Sequence, residues 1–190
     1  MTVPTRENAW ALLTEFTASQ ALRRHALAVE ASMRHLARSS GVPGEAEVER
    51  WGLVGLLHDF DYERFPDAKD HPWRGAEILE AKGYPPWFRR AILSHASYTG
   101  VARESELEKA LYACDELCGF LVACALVTPA KSLHDVKVSS VRKKMKDKAF
   151  ARNVHREEIV EGAAAIGMDL DAHIELVLDA LRSVAPQGLP

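Results

Sequence analysis

Apolar residues recur at helical spacing along nearly the whole 190-residue chain, and no stretch combines period-two alternation with β-branched enrichment. That pattern confines the chain to an all-α fold. No internal repeat is visible, and 47% hydrophobic content is ample for one sizeable core, so residues 1–190 read as a single domain.

The helices can be placed from their caps and breaks. A first is expected over about Arg6 to Phe16, and a second from an N-cap at Ser19 to a stop at Gly41, with Leu22, Val29, Met33 and Leu36 on one face. Glu45 to Leu57 makes a third, whose last turn leads into His58-Asp59. An acidic, aromatic loop from Asp59 to His71 follows; Pro72 then suits a first helical position and Gly83 a C-terminal stop. Another helix follows Pro86 and reaches about His95. Ser105-Glu106-Leu107-Glu108 has the pattern in which a serine and the glutamate three residues on satisfy each other's backbone donors, and it opens a long apolar helix to about Val127. Beyond the Thr128-Pro129 break come a basic helix from about Ser140, a helix after Asn153, and an amphipathic one from about Asp169 carrying Leu170, Ile174, Val177 and Leu181. Ala185 to Pro190 reads as a disordered tail.

Composition narrows the setting. The longest apolar run, Leu117 to Val127, is far below the roughly 18 to 20 residues that span a bilayer, and the N-terminus lacks a basic-then-apolar signal pattern. The expectation is a cytoplasmic protein with no membrane partner. Cys114, Cys118 and Cys124 lie within one apolar helical stretch without the paired spacings of zinc or redox motifs, and read as buried core residues in a reducing compartment. Net charge is only -3, but Lys131 to Arg156 holds nine Lys and Arg against Asp135 and Asp147.

Against this background a few polar residues stand out. His25 shares the apolar side of the second helix, three residues after Leu22 and four before Val29, whereas His35 lies about 280° around that helix and is expected to face solvent. A lone histidine on such a face is more often a hydrogen-bonded core residue than a ligand. The sharper signal is Leu56-Leu57-His58-Asp59, where an apolar helix ends in two adjacent ligand-type side chains that can reach one centre once the second leaves helical geometry. Asp115 adds to it. It sits in a stripe with Leu111, Cys118, Val122 and Leu126, where an unpaired charge is costly, so a cation must meet it: a metal, or an arginine.

An ordered set of a helix histidine (His25), a His-Asp doublet (His58-Asp59) and a later helix aspartate (Asp115) resembles the HD superfamily over about residues 20 to 127. The chain also resembles a small bacterial group of predicted HD-superfamily hydrolases in His58-Asp59-Phe60-Asp61-Tyr62-Glu63, Cys114-Asp115-Glu116-Leu117 and Ser140-Val141-Arg142-Lys143-Lys144. The resemblance implies an HD-domain helical bundle, with the helices of about 131–185 added to its core. It also implies a metal site of one or two divalent ions. Binuclear members carry two further histidines between the doublet and the last aspartate, and His71 and His95 fall in those places. The implied arrangement is His25, His58 and Asp115 on one ion, His71 and His95 on a second, and Asp59 bridging; in a mononuclear site His71 and His95 would contact substrate or move protons instead. Such nitrogen-rich ligation suits iron, manganese or zinc. One departure is that many binuclear relatives continue His-Asp-Ile-Gly, often followed by lysine, where this chain has Phe60-Asp61-Tyr62.

The implied activity is a metal-dependent phosphohydrolase acting on a small phosphate ester or nucleotide, with Asp59 holding the ions and Lys131 contacting an anionic substrate. Its rival within the superfamily is a mixed-valence di-iron oxygenase that cleaves a C–C or C–P bond. A third reading is a binding module with a structural metal, against which the full set of six ligand-type residues speaks. The basic run beyond Lys131 is either an anion-holding face or simply a solvated one. Nucleic acid is a poor partner for a chain of pI about 6.2 with no aromatics among those cations, while homo-oligomerisation is left open.

Overall fold

A computed structural model of the protein describes residues 4–185. Among these the chain forms nine α-helices and no strand: α1 (Arg6–Phe16), α2 (Gln20–Ser39), α3 (Glu45–Leu57), α4 (Trp73–Ala81), α5 (Pro86–His95), α6 (Glu106–Leu126), α7 (Val138–Met145), α8 (Arg156–Ala165) and α9 (Leu170–Val184). Short 3-10 turns at Ser97–Thr99 and Leu133–Asp135 follow α5 and α6.

Helix α6 is the axis of the bundle. Its capping box forms as expected, with Ser105 accepting from the Glu108 amide while the Glu108 carboxylate accepts from the Ser105 amide. Buried side chains occur all around it, from Leu107 and Leu111 to Phe120 and Cys124, and a helix apolar on every side must be enclosed. It accordingly packs against α2, α3, α5, α7, α8 and α9. All three cysteines are buried and free.

Two glycines set close helix approaches. A Cβ at Gly55 of α3 would lie 2.9 Å from the Val29 carbonyl oxygen of α2, and one at Gly162 of α8 would lie 2.6 Å from the Ala113 Cα of α6. The first approach brings the C-terminal end of α3 onto the face of α2 that carries His25. The second seats α8 directly on α6. The 59–71 loop is pinned to the α1–α2 junction, where the Thr17 hydroxyl donates to the Phe60 carbonyl and Glu63 accepts from the Ser19 amide.

Some expectations need correction. Pro72 is the N-cap of α4, so the helix begins one residue later, and α7 starts at Val138 rather than Ser140. The Asp115 stripe holds at Leu111 and Cys118, but Val122 is half-buried and Leu126 is 52% exposed, because the end of α6 runs past its neighbours. His35 is half-buried rather than solvent-facing. Ala185 caps α9 in helical conformation and packs on the core, so it is no tail; residues 186–190 lie outside the described residues.

Candidate metal centre

Four histidines and two aspartates converge where the C-terminal end of α3 meets α2, α5 and α6. His25 comes from α2, His95 is the last residue of α5, and Asp115 sits midway along α6. The helix proper of α3 ends at Leu57; His58 keeps helical angles as its C-cap, and Asp59 begins the turns that lead to His71.

Three of the four imidazoles are tied at Nδ1, which leaves Nε2 for the centre. His58 Nδ1 donates to the Gly55 carbonyl (2.7 Å), His95 Nδ1 to the Ile92 carbonyl (2.5 Å) and His71 Nδ1 to Asp61 Oδ1 (2.9 Å). Each bond sets the tautomer and aims the ring, as the outer partners of metal-bound histidines do. Asp61 is fully buried and also accepts from the Gly75 amide, an approach that leaves no room for a Cβ at residue 75.

The free faces meet around Asp59. Its Oδ1 lies 3.1 Å from His71 Nε2 and 3.3 Å from His95 Nε2, while its Oδ2 lies 3.7 Å from His58 Nε2. Asp115 Oδ1 accepts from His25 Nε2 at 2.9 Å and stands 3.3 Å from His58 Nε2. Potential ligand atoms of His25, His58 and Asp59 all lie within 4.8 Å of one another, and so do those of Asp59, His71 and His95. The two triads share Asp59 alone. Among the described residues Asp115 pairs with His25 and His58 and with no arginine.

The electrostatics of the centre suit a bound cation. Burial alone would lower the His58 pKa, yet Asp115 and Asp59 raise it to about 9; His71 is likewise raised to about 9 by Asp59 and Asp61 against burial. Burial would raise both aspartates, but the neighbouring histidines hold Asp59 and Asp115 well below the usual carboxylate range. Without metal, protons on His58 and His71 supply positive charge. His58 Nε2 is buried with no hydrogen-bond partner of proper geometry, which is costly for a polar atom unless something fills the space in front of it. Nitrogen and carboxylate oxygen donors around that orphaned atom fit a transition-type divalent ion.

The centre opens into a cavity of about 520 Å³, with Tyr62, Tyr98, Glu116, Asn153, His155 and Glu158 around its wall beside His25, Asp59, His71, His95 and Asp115. Tyr98 donates its hydroxyl to the His71 carbonyl. Lys131 is not among these lining residues. Helix α6 continues for 11 residues past Asp115, roughly 16 Å at 1.5 Å per residue, so Lys131 emerges exposed beyond its far end. The six ligand-type residues do come together, whereas the expected substrate lysine does not join them.

Sequence reasoning missed several residues here. Asp61 had a signal, since it lies in the doublet's own motif, but its role needs the 59–71 turns to bring His71 back onto it. Glu116 had the same kind of signal, lying in the motif around Asp115, whereas Asn153, His155 and Glu158 carried none, because only the packing of α8 and the segment before it on α6 brings them to the cavity.

Residues 22–119, more than half of the chain, match the HD domain family, and the chain belongs to it. Membership brings a metal-dependent, hydrolase-type function and agrees with the all-helical bundle seen here. No curated protein and no solved structure matches the chain.

Proposed function

We propose that the protein is a metal-dependent phosphohydrolase acting on a small phosphate ester or nucleotide, with His25, His58 and Asp115 on one ion, His71 and His95 on a second, and Asp59 between them. The observation that carries this reading is the division of Asp59, whose two carboxylate oxygens face two separate histidine sets. Iron, manganese or zinc suits four imidazoles and two carboxylates. When bound, such ions would lower the pKa of water and neutralise charge on phosphoryl oxygens. The protein's own part is to hold them apart on Asp59, to fix the His58, His71 and His95 rings through their Nδ1 bonds, and to enclose the reacting group.

The cavity volume of about 520 Å³ lies in the range of small-molecule sites and is too small for a macromolecule to enter whole. No lysine or arginine is among its described lining residues, so an anionic group would have to seat at the ions themselves and leave the rest of the substrate to Tyr62, Tyr98, Asn153 and His155. Among the described residues no helix is long and apolar enough to cross a membrane, which is in keeping with a small diffusible substrate met in the cytoplasm.

The test is an anaerobic panel of phosphomonoesters and nucleotides with the zinc, manganese and iron forms, scored for released phosphate. Hydrolysis without oxygen by the zinc or manganese form is the expected result. Strict dependence on iron and oxygen, with no phosphate released anaerobically, would sink the reading.

A further inference from the structure

Part of the wall of the cavity beside the metal centre, Asn153, His155 and Glu158, comes from a segment outside the family match, which ends at Gly119. In that wall His155, the N-cap of α8, is bound to Glu116 twice: its Nδ1 donates to Glu116 Oε1 at 2.9 Å and its backbone amide to Oε2 at 3.3 Å. Glu116 immediately follows Asp115 on α6, so one helix carries a residue of the metal centre and, beside it, the carboxylate that fixes His155. We propose that His155 is the proton donor to the leaving group, with Glu116 as its positioning residue, a role that rests on the phosphohydrolase reading.

Three features support the assignment. With Nδ1 held by Glu116, the Nε2 edge of His155 is the one free to meet a substrate, and its side chain is 70% exposed at the cavity rather than locked in the core. The imidazole is faced by Glu116 from α6 and by Glu158 and Glu157 from α8; the bond to Glu116 raises its pKa against burial, favouring the cationic form a donor needs. The geometry is also built to last: α8 is held on α6 by the Gly162–Ala113 approach, and Ser97 donates to Glu158 from the segment after α5.

The step balances. Water-derived oxygen forms a new bond to phosphorus, the ester P–O bond breaks, and its electron pair stays on the departing oxygen. That oxygen takes the proton from His155 Nε2, and the proton lost by the attacking water restores the imidazolium through solvent. A carboxylate-bound histidine on the leaving-group side is an ordinary general acid. Glu116, His155 and Glu158 also bring potential ligand atoms within 4.8 Å of one another, so the test has to separate proton transfer from binding of another ion.

The experiment compares the metal-loaded full chain with its His155→Gln, His155→Ala and Glu116→Gln variants on ethyl phosphate and p-nitrophenyl phosphate. Ethoxide needs a proton to leave, whereas p-nitrophenolate departs as a stable anion. The expected result for His155→Gln is a loss of about 100-fold or more on the ethyl ester, a loss under about tenfold on the nitrophenyl ester, and unchanged metal content. Glu116→Gln should show the same ester dependence at smaller size, and added imidazole should partly restore ethyl ester turnover in His155→Ala. Equal losses on both esters, or loss of metal with activity, would overturn the donor role while leaving hydrolysis intact in the wild type. If the metal-loaded wild type releases phosphate from neither of these esters nor from any member of the phosphomonoester and nucleotide panel, the phosphohydrolase reading fails and the donor falls with it.

Discussion

Two histidines that meet α6, one at Asp115 and one at Ala113, make an instructive pair. His58 and His173 are both fully buried, each donates from one ring nitrogen to a backbone carbonyl, that of Gly55 or of Ala113, and each leaves its other nitrogen without a hydrogen-bond partner. Their pKa values shift in opposite directions. His58 is raised to about 9 by Asp115 and Asp59 despite burial, while burial lowers His173, its single carbonyl bond being too little to offset it. An orphaned ring nitrogen in a core therefore does not by itself mark a metal ligand. What marks it is the company of carboxylates that cannot be buried as anions unless a cation joins them.

The largest expected effect comes from the residue both triads share. Asp59→Asn should lower hydrolysis by well over the ~10–100-fold typical of residues that only support ligands, and metal content should fall with it. Retention of wild-type metal by this variant would remove the basis of the comparison. Asp115→Asn keeps shape and loses charge, so metal binding should weaken while helical circular dichroism stays largely intact; unchanged metal content would mean that Asp115 serves folding alone.

The double change His71→Ala with His95→Ala sharpens the count. Elemental analysis should find about two ions per wild-type chain and about one in this variant, as the bridging arrangement requires. A wild type that never exceeds one ion at saturation would favour a single centre. A smaller effect belongs to Asp61, which only orients His71: Asp61→Asn should reduce metal affinity by ~10–100-fold, and an unchanged affinity would deny it that role.

His173 should give the smallest effect, and on stability rather than metal. Its folded pKa is lowered, so at acid pH the unfolded chain takes up a proton that the folded chain refuses. The stability associated with neutral His173 is thus whole above an ordinary histidine pKa of about 6.5 and is lost as pH falls through that value toward the lower folded one. Denaturant titrations of the metal-free wild type and His173→Leu should show the wild type losing stability relative to the variant as pH falls from about 7 to about 5. A difference that does not change with pH would show that His173 titrates alike in both states.

Helix order and most boundaries were legible because they depend on local chemistry: the Ser19 and Ser105 caps, the Gly41 and Gly83 stops, and Pro86 at a helix start all act within a turn of the chain. Asp115 and the His58-Asp59 doublet were legible too, since a buried carboxylate and a doublet closing an apolar helix are costly patterns that need a reason, whereas His71 and His95 were implied only by the resemblance to binuclear HD proteins. Lys131 does not line the cavity, because α6 runs on for 11 residues past Asp115 and carries the chain away from the centre before Lys131 is reached. The sequence alone determined an all-α chain with His25, His58, Asp59, His71, His95 and Asp115 held inward. Only the tertiary structure decided that Asp59 faces two histidine sets, that Asp61 aims His71, and that His155 meets Glu116 across the cavity. Those contacts join residues from separate helices, and their geometry follows from how closely glycines such as Gly55 and Gly162 let the helices pack, which no local pattern encodes.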